Sequence, residues 1–281
     1  MFASLAILLC VALFALNLLI RRGLAAPRIA GEATPEELPW HVVSIPTVRQ
    51  KKLFGWFIPS LPGAPCLVIL HGWGSNAEMM LPLARPLHAA GYGLLFFEAR
   101  NHGRSDGDDF SSLPRFAEDI ECAIAWLRLQ AEVDPLRIGL IGHSVGAGAA
   151  LLVASRCQDI RAVISLSAFS HPASMMRRWL SAKGIPFWPL GAYILAYVQH
   201  VIAHRFEEIA PRNTIKRVSC PTLLVHAEDD RTVPVEDARE IHANRTGEQV
   251  RLLIVPGDHE QFDDLEQRIT DLLDFLRYSM Q

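Results

Sequence analysis

Arg137-Ile138-Gly139-Leu140-Ile141-Gly142-His143-Ser144-Val145-Gly146-Ala147-Gly148-Ala149-Ala150 is the stretch that decides the fold. Residues 137–141 are a short apolar run of the kind that forms a strand buried on both faces. Val145 opens a run of small residues predicted to be helical as far as Arg156. Between the two, Gly142-His143-Ser144-Val145-Gly146 matches G-x-S-x-G. In that setting Ser144 sits on a strained strand-to-helix turn that projects its hydroxyl, and the glycines leave room that side chains would fill. The helix behind it aims backbone N–H groups and the positive end of its dipole at any negative charge developing there. Ser144 is therefore the candidate nucleophile.

Working outward, the same alternation extends in both directions. His41 to Pro46 and Leu53 to Ile58 read as two antiparallel starting strands, and Cys66 to Leu70 and Leu94 to Phe97 as buried strands. Helices are expected over Ala77 to Ala90, closed by Gly91, and over Phe116 to Gln130. Beyond the elbow come strand Ala162 to Leu166, strand Thr222 to His226, helix Val235 to Ala243, strand Arg251 to Val255 and helix Asp264 to Tyr278. Strands alternating with helices give an α/β domain with a mostly parallel sheet covered on both faces. The stretch Ser170 to Asn213 breaks the rhythm and is rich in aromatics, among them Trp179, Trp188, Tyr193 and Tyr197. It is expected to be a helical insertion acting as a lid or acyl-pocket wall, because loops at strand ends carry the site in open sheets.

A serine hydroxyl needs a base, and the base an orienting carboxylate. With an elbow of this kind the chain order is serine, acid, histidine. Among the eleven histidines, His259 follows a strand beyond an acidic loop; His242 falls in a helix and His226 ends the earlier strand. The acid is one of Glu228, Asp229 and Asp230.

Phe2 to Ile20 is uncharged and apolar apart from Asn17, and Arg21-Arg22 follow it. About twenty such residues cross the hydrocarbon of a bilayer. A secretory signal would place its charge before a shorter apolar run, so residues 1–22 read as a transmembrane anchor. The positive-inside bias keeps the arginines, and the domain after them, on the cytoplasmic side. Residues 23–39 then read as a linker and 40–281 as the main domain, with 170–213 inserted.

Composition adds exclusions. A net charge of −3 gives no sign of a nucleic-acid partner. The five cysteines form no C-x-x-C pair and read as small buried hydrophobes. No P-loop, zinc spacing or dinucleotide fingerprint occurs, so no cofactor and no metal is expected.

The chain resembles the α/β-hydrolase superfamily, and more narrowly the bacterial serine hydrolases with one N-terminal membrane helix, the prolyl-oligopeptidase-like and serine-aminopeptidase-like group. Four stretches over about residues 40–280 carry the likeness: His71-Gly72-Trp73 and its continuation to Asn76, Glu98-Ala99-Arg100-Asn101-His102-Gly103-Arg104-Ser105, the elbow, and the acid and histidine loops. The resemblance implies a mostly parallel eight-stranded sheet, helices on both faces and a small helical lid. It implies an oxyanion hole from the backbone N–H groups of Trp73 and Val145. The similar acid loop H-G-x-x-D-x-x-V-P aligns with His226 to Pro234 and selects Asp230, with Ala227 in place of glycine. Glu98 and Asn101 also depart from the D-x-R-G-H-G-x-S of that group, in a loop that is structural there.

The expected chemistry is hydrolysis of a carboxylic ester, thioester or amide through an acyl-enzyme, esterase- or lipase-like, on a small-molecule or lipid-like acyl substrate. Ser144, His259 and Asp230 would carry it. An acyltransferase would use the same triad. A peptidase and a non-catalytic membrane-binding module are further alternatives, since fold does not imply function.

Overall fold

Eight strands of the computed structural model, which describes residues 2–259 and 269–280, join in one sheet of order β1-β2-β4-β3-β5-β6-β7-β8. β1 (His41–Thr47) and β2 (Lys51–Ile58) form an antiparallel hairpin, and β2 runs antiparallel to β4 (Gly93–Phe97). β3 (Ala64–Leu70), β4, β5 (Val133–His143), β6 (Ala162–Leu166), β7 (Thr222–Ala227) and β8 (Val250–Val255) are parallel. The solid runs of Val, Ile and Leu in β3 to β7 are buried on both sides, as covered parallel strands require, while edge strand β8 is only partly buried over Leu252 to Ile254.

The strand order reverses at β3, which lies between β4 and β5. A crevice opens past the carboxyl ends of strands at such a switch point. Register determines what meets there. Leu70 pairs with Gly142, so the segment after β3 leaves the sheet beside the elbow after β5. Ala227 pairs with Val255, so the loops after β7 and β8 emerge side by side.

Two apolar layers cover the sheet. One packs α3 (Leu113–Leu127) and α4 (Val145–Ala154) against β1, β3 and β5; the other includes α2 (Ala84–Ala89) and α10 (Ile269–Ser279). α4 is a buried helix of small residues, and a Cβ on Gly148 would stand 3.0 Å from Leu113, so the two helices meet almost backbone to side chain. α3 begins three residues before the expected Phe116, because the Ser112 hydroxyl accepts from Arg115 N–H and Pro114 fits the first turn. The single helix expected over Ala77 to Ala90 is instead a 3₁₀ stretch, Ala77–Leu83, followed by α2; Pro82 and Pro86 each lack an N–H for a continuous ladder. Residues 264–268 of the expected last helix lie outside the described residues.

The insertion between β6 and β7 is helical: α5 (Pro172–Ala182), α6 (Ala192–Ile202), α7 (Phe206–Ile209) and α8 (Pro211–Thr214). Leu180, Val198, Ile202 and Phe206 hold it to the core, while Trp179 and Trp188 are 52% and 76% exposed. α9 (Val235–Ala243) follows β7.

α1 spans Phe2–Gly23, and its Ser4–Gly23 segment, of mean hydropathy 2.3, is long and apolar enough to cross a membrane. Its outward face is exposed, but its last turns pack on α6. The Tyr193 hydroxyl donates to Asn17 Oδ1 at 2.7 Å, Arg21 Nε donates to the Tyr197 hydroxyl at 3.2 Å, and Ile20 is buried. The segment after α1, read from sequence as a linker, is extended and laid along the domain. Ser111 N–H donates to Leu24 O (2.9 Å), Asn76 Nδ2 to Ile29 O (3.2 Å) and Glu32 N–H to Glu78 Oε2 (2.8 Å). These bonds pin residues 24–32 across the loops that follow β3 and α3's approach.

Candidate active site

Ser144 has φ 52° and ψ −114°, a backbone state that costs a non-glycine residue on the order of 1–3 kcal/mol and persists only where its surroundings enforce it. They do so here. Ser144 N–H donates to Leu166 O at 2.8 Å, and Ser144 O accepts from Gly148 N–H at 3.0 Å. The flanking glycines are required by contact: a Cβ on Gly142 would collide with the Gly146 carbonyl, and one on Gly146 with His71 O and, at 2.8 Å, with Leu70 O. A Cβ on Gly72 would stand 3.2 Å from Ser144 Cβ. The His71-Gly72-Trp73 segment thus lies directly against the elbow. Val145 is the first residue of α4, so its N–H belongs to the turn that has no intrahelical acceptor.

Asp230 is buried and fully engaged. Oδ1 accepts from Thr232 N–H (2.9 Å) and Val233 N–H (2.7 Å); Oδ2 accepts from His259 Nδ1 at 2.6 Å. His226 Nε2 stands 3.5 Å from the same Oδ2 but donates to the nearer Val233 O at 2.7 Å. Burial pushes the Asp230 carboxyl up, but the contacts with His226 and His259 and the Val233 N–H outweigh it and hold the group well below the usual carboxylate range. Glu228 and Asp229 are exposed, so of the three acids in the loop only Asp230 reaches an imidazole. Ala227 takes the place of glycine without strain, because it still belongs to β7.

The donation from Nδ1 to Asp230 leaves His259 Nε2 as the basic nitrogen. The imidazole is fixed beside the elbow through its neighbour in sequence to Ser144: His143 Nε2 donates to His259 O at 3.0 Å, and the two rings lie 4.8 Å apart. Burial pushes His143 down to about 3, so it is a neutral donor at ordinary pH.

Two more histidines support the Trp73 segment, and neither stands out in the sequence as more than part of a motif. His71 Nδ1 donates to Gly72 O (2.6 Å) while its Nε2 accepts from Ala99 N–H (3.2 Å). His102 Nδ1 donates to Arg100 O (2.9 Å) while its Nε2 accepts from Gly74 N–H (3.1 Å). Burial pushes them down to about 3 and about 4, so both stay neutral and each tautomer is assigned by its partners. Together they clamp the backbone on either side of Trp73.

The loop that carries His102 explains its own departures. Asn101 has φ 69°, a left-handed state that Asn tolerates better than most residues and that glycine also suits. Gly103, at φ 46°, leaves the space that the Glu98 carboxylate fills. Arg100 is buried and donates through its N–H and Nε to Asp119 (2.9 and 2.8 Å), tying the loop to α3.

A family model described as serine aminopeptidase, S33, matches residues 64–213, more than half of the chain. The chain belongs to this family of α/β-hydrolases. Among curated relatives, this hydrolase is 28% identical over 244 residues to the uncharacterized protein YfhR of Escherichia coli K12, covering 83% of this chain and 78% of that one. It is 28% identical over 232 residues to human protein ABHD12B, covering 77% of this chain and 62% of the human one. Among solved structures it is similar to the Pyrococcus furiosus esterase Pf2001, with a TM-score of 0.75, 25% identity, and coverage of 92% of this chain and 98% of the esterase. The hydrolase fold and its eight-stranded, mostly parallel sheet are thus as the family resemblance implied.

Proposed function

We propose that this α/β-hydrolase is a serine esterase of apolar acyl substrates, with Ser144, His259 and Asp230 as its triad. The observation that carries the proposal is the strained Ser144 at the end of β5 with the Asp230–His259 pair, joined at 2.6 Å, docked on the adjacent residue. Similarity to an esterase over nearly the whole chain supports the same chemistry.

Ser144 Oγ attacks the carbonyl carbon as His259 Nε2 takes its proton. The resulting oxyanion accepts from the N–H groups of Trp73 and Val145. Collapse expels the alcohol, which leaves with the proton returned by His259, and the acyl group remains on Ser144. Water, deprotonated by the same imidazole, then releases the acid. Asp230 stays ionised and stabilises the imidazolium. α1 holds the chain in a membrane, with Arg21 and Arg22 keeping the domain on the cytoplasmic side; protease treatment of sealed spheroplasts tests this, and digestion of the domain from outside sinks it.

A fluorophosphonate probe should label the wild-type chain and leave Ser144→Ala unlabelled. p-Nitrophenyl butyrate should be hydrolysed by the former alone. Equal labelling and equal turnover in the two would end the proposal.

A further inference from the structure

Charge is unevenly distributed along the chain. Residues 1–31 and 172–206 together hold seven of the 27 Lys and Arg and none of the 30 Asp and Glu. The fold brings these two segments into contact, through Asn17 with Tyr193 and Arg21 with Tyr197. Asn17 and Arg21 lie in the last two turns of α1, so α6 meets the apolar helix at its domain end.

The insertion's outer surface has an unusual composition for a face turned to water. Trp179 and Trp188 are 52% and 76% exposed. Lys183 Nζ lies 5.8 Å from the Trp179 ring, and Arg177 lies 4.2 Å over Phe187. Arg178 alone of these cations is drawn inward, to Asp237 at 2.5 Å. Exposed tryptophans flanked by cations at the end of an apolar helix match the layer where ring edges meet headgroups and basic groups meet anionic lipid.

The Trp73 loop lies close to the domain end of α1. Pro27 packs on Gly74, whose Cβ would stand 2.8 Å from it, and Gly74 adjoins Trp73. Pro27 is four residues beyond the end of α1, which limits their separation to about 14 Å. The foot of α1 therefore touches the insertion and lies within about 14 Å of the residue that packs on the Trp73 loop.

We infer that the insertion docks on an anionic bilayer surface through Trp179 and Trp188, and that the acyl substrate passes to Ser144 from the bilayer, between the insertion and the segment 24–32. This rests on the esterase function proposed above and adds where the substrate resides: an ester dissolved in lipid rather than in water.

The test uses the full chain reconstituted in phosphatidylcholine vesicles with about a third phosphatidylglycerol. Two substrates are compared, 4-methylumbelliferyl palmitate held in the bilayer and p-nitrophenyl butyrate in water. Trp179→Ala with Trp188→Ala should lower turnover of the palmitate about tenfold and change turnover of the butyrate less than about twofold, and the double Phe variant should recover most of the loss. Equal losses on both substrates, or loss on neither, overturn the inference. If the wild type hydrolyses neither ester, the esterase function fails by itself and docking is decided by fluorescence. Brominated phosphatidylcholine should quench the wild type's emission more than the double alanine variant's; equal quenching overturns docking.

Discussion

His143 Nε2 donates to the backbone carbonyl of His259 at 3.0 Å, so the residue before the elbow serine holds the loop that presents the imidazole. The bond joins the end of β5 to the end of β8 across two intervening strands. His143→Phe retains a ring against His259 but removes the donor. It should lower kcat for p-nitrophenyl butyrate about tenfold with little change in KM, and should leave fluorophosphonate labelling complete at long times. An unchanged kcat would show that the loop is held by other means.

Asp230→Asn keeps the shape of the side chain but removes the charge that stabilises a protonated His259. The amide must also present its NH₂ to one of the donors around it. Turnover should fall about a thousandfold or more, with the fold retained by circular dichroism. A loss of less than tenfold would place the functional acid elsewhere in the loop.

Gly146→Ala puts a methyl group against the carbonyl oxygens of His71 and Leu70, which are backbone atoms and have little freedom to yield. Overpacking of this kind costs about 1–3 kcal/mol or more. Urea unfolding should show a lower midpoint at unchanged slope, and ester turnover should fall along with it because the Trp73 segment is displaced.

Asp119→Ala leaves the Arg100 guanidinium, 1% exposed at its side chain, without its innermost carboxylate. Breaking one partner out of a buried pair costs about 3–5 kcal/mol. Replacing Asp119 by Asn should recover part of the loss, since Oδ1 still accepts from Thr47 and Arg100 Nε, although the NH₂ in place of Oδ2 leaves Arg100 N–H without its acceptor. A stable alanine variant would mean that Glu118 and Asp108 suffice for Arg100.

Acid should destabilise the fold through its buried histidines, against a smaller opposing contribution from Asp119, whose carboxyl burial pushes up to about 6. His71, His102 and His143 are held down to about 3, 4 and 3 from an ordinary 6.5. Between 6.5 and those values the unfolded chain takes up protons that the folded chain refuses, so stability falls as pH falls. Each histidine contributes a slope of up to about 1.4 kcal/mol per pH unit. Asp230 acts in the same sense at lower pH: its depressed folded value gives stability that is present above the unfolded value and lost below it. Urea midpoints measured from pH 7.5 to 4.5 should drop steeply below 6.5, and a flat profile would refute the account.

The strands were legible because burial on both faces leaves solid apolar runs; Ala162–Leu166 falls where its five residues place it. Ser144 and its glycines were legible as an elbow because the turn tolerates so little else, whereas the acid loop by itself left Glu228, Asp229 and Asp230 open and only the family resemblance selected Asp230. Other features depend on distance in space. That His143 reaches the loop after β8, or that His102 reaches Gly74 N–H, requires the strand order, which no local pattern encodes. The break in the helix expected at Ala77 to Ala90 was within reach, since Pro82 and Pro86 announce it. The docking of residues 24–32 was not, because a chain segment held by backbone bonds to distant loops has the same composition as a free tether.

The contacts of α1 with α6, through Asn17, Arg21 and Ile20, make the apolar helix proposed above as an anchor a structural neighbour of the hydrolase domain and not a detachable leash. Grafting another apolar helix of the same length onto residue 24 would preserve attachment to the bilayer while discarding those three side chains. If α1 spans a bilayer as proposed, tilt or depth of the span, set by lipid thickness, would otherwise bear directly on α6 and give the physical state of the membrane a mechanical route into the protein.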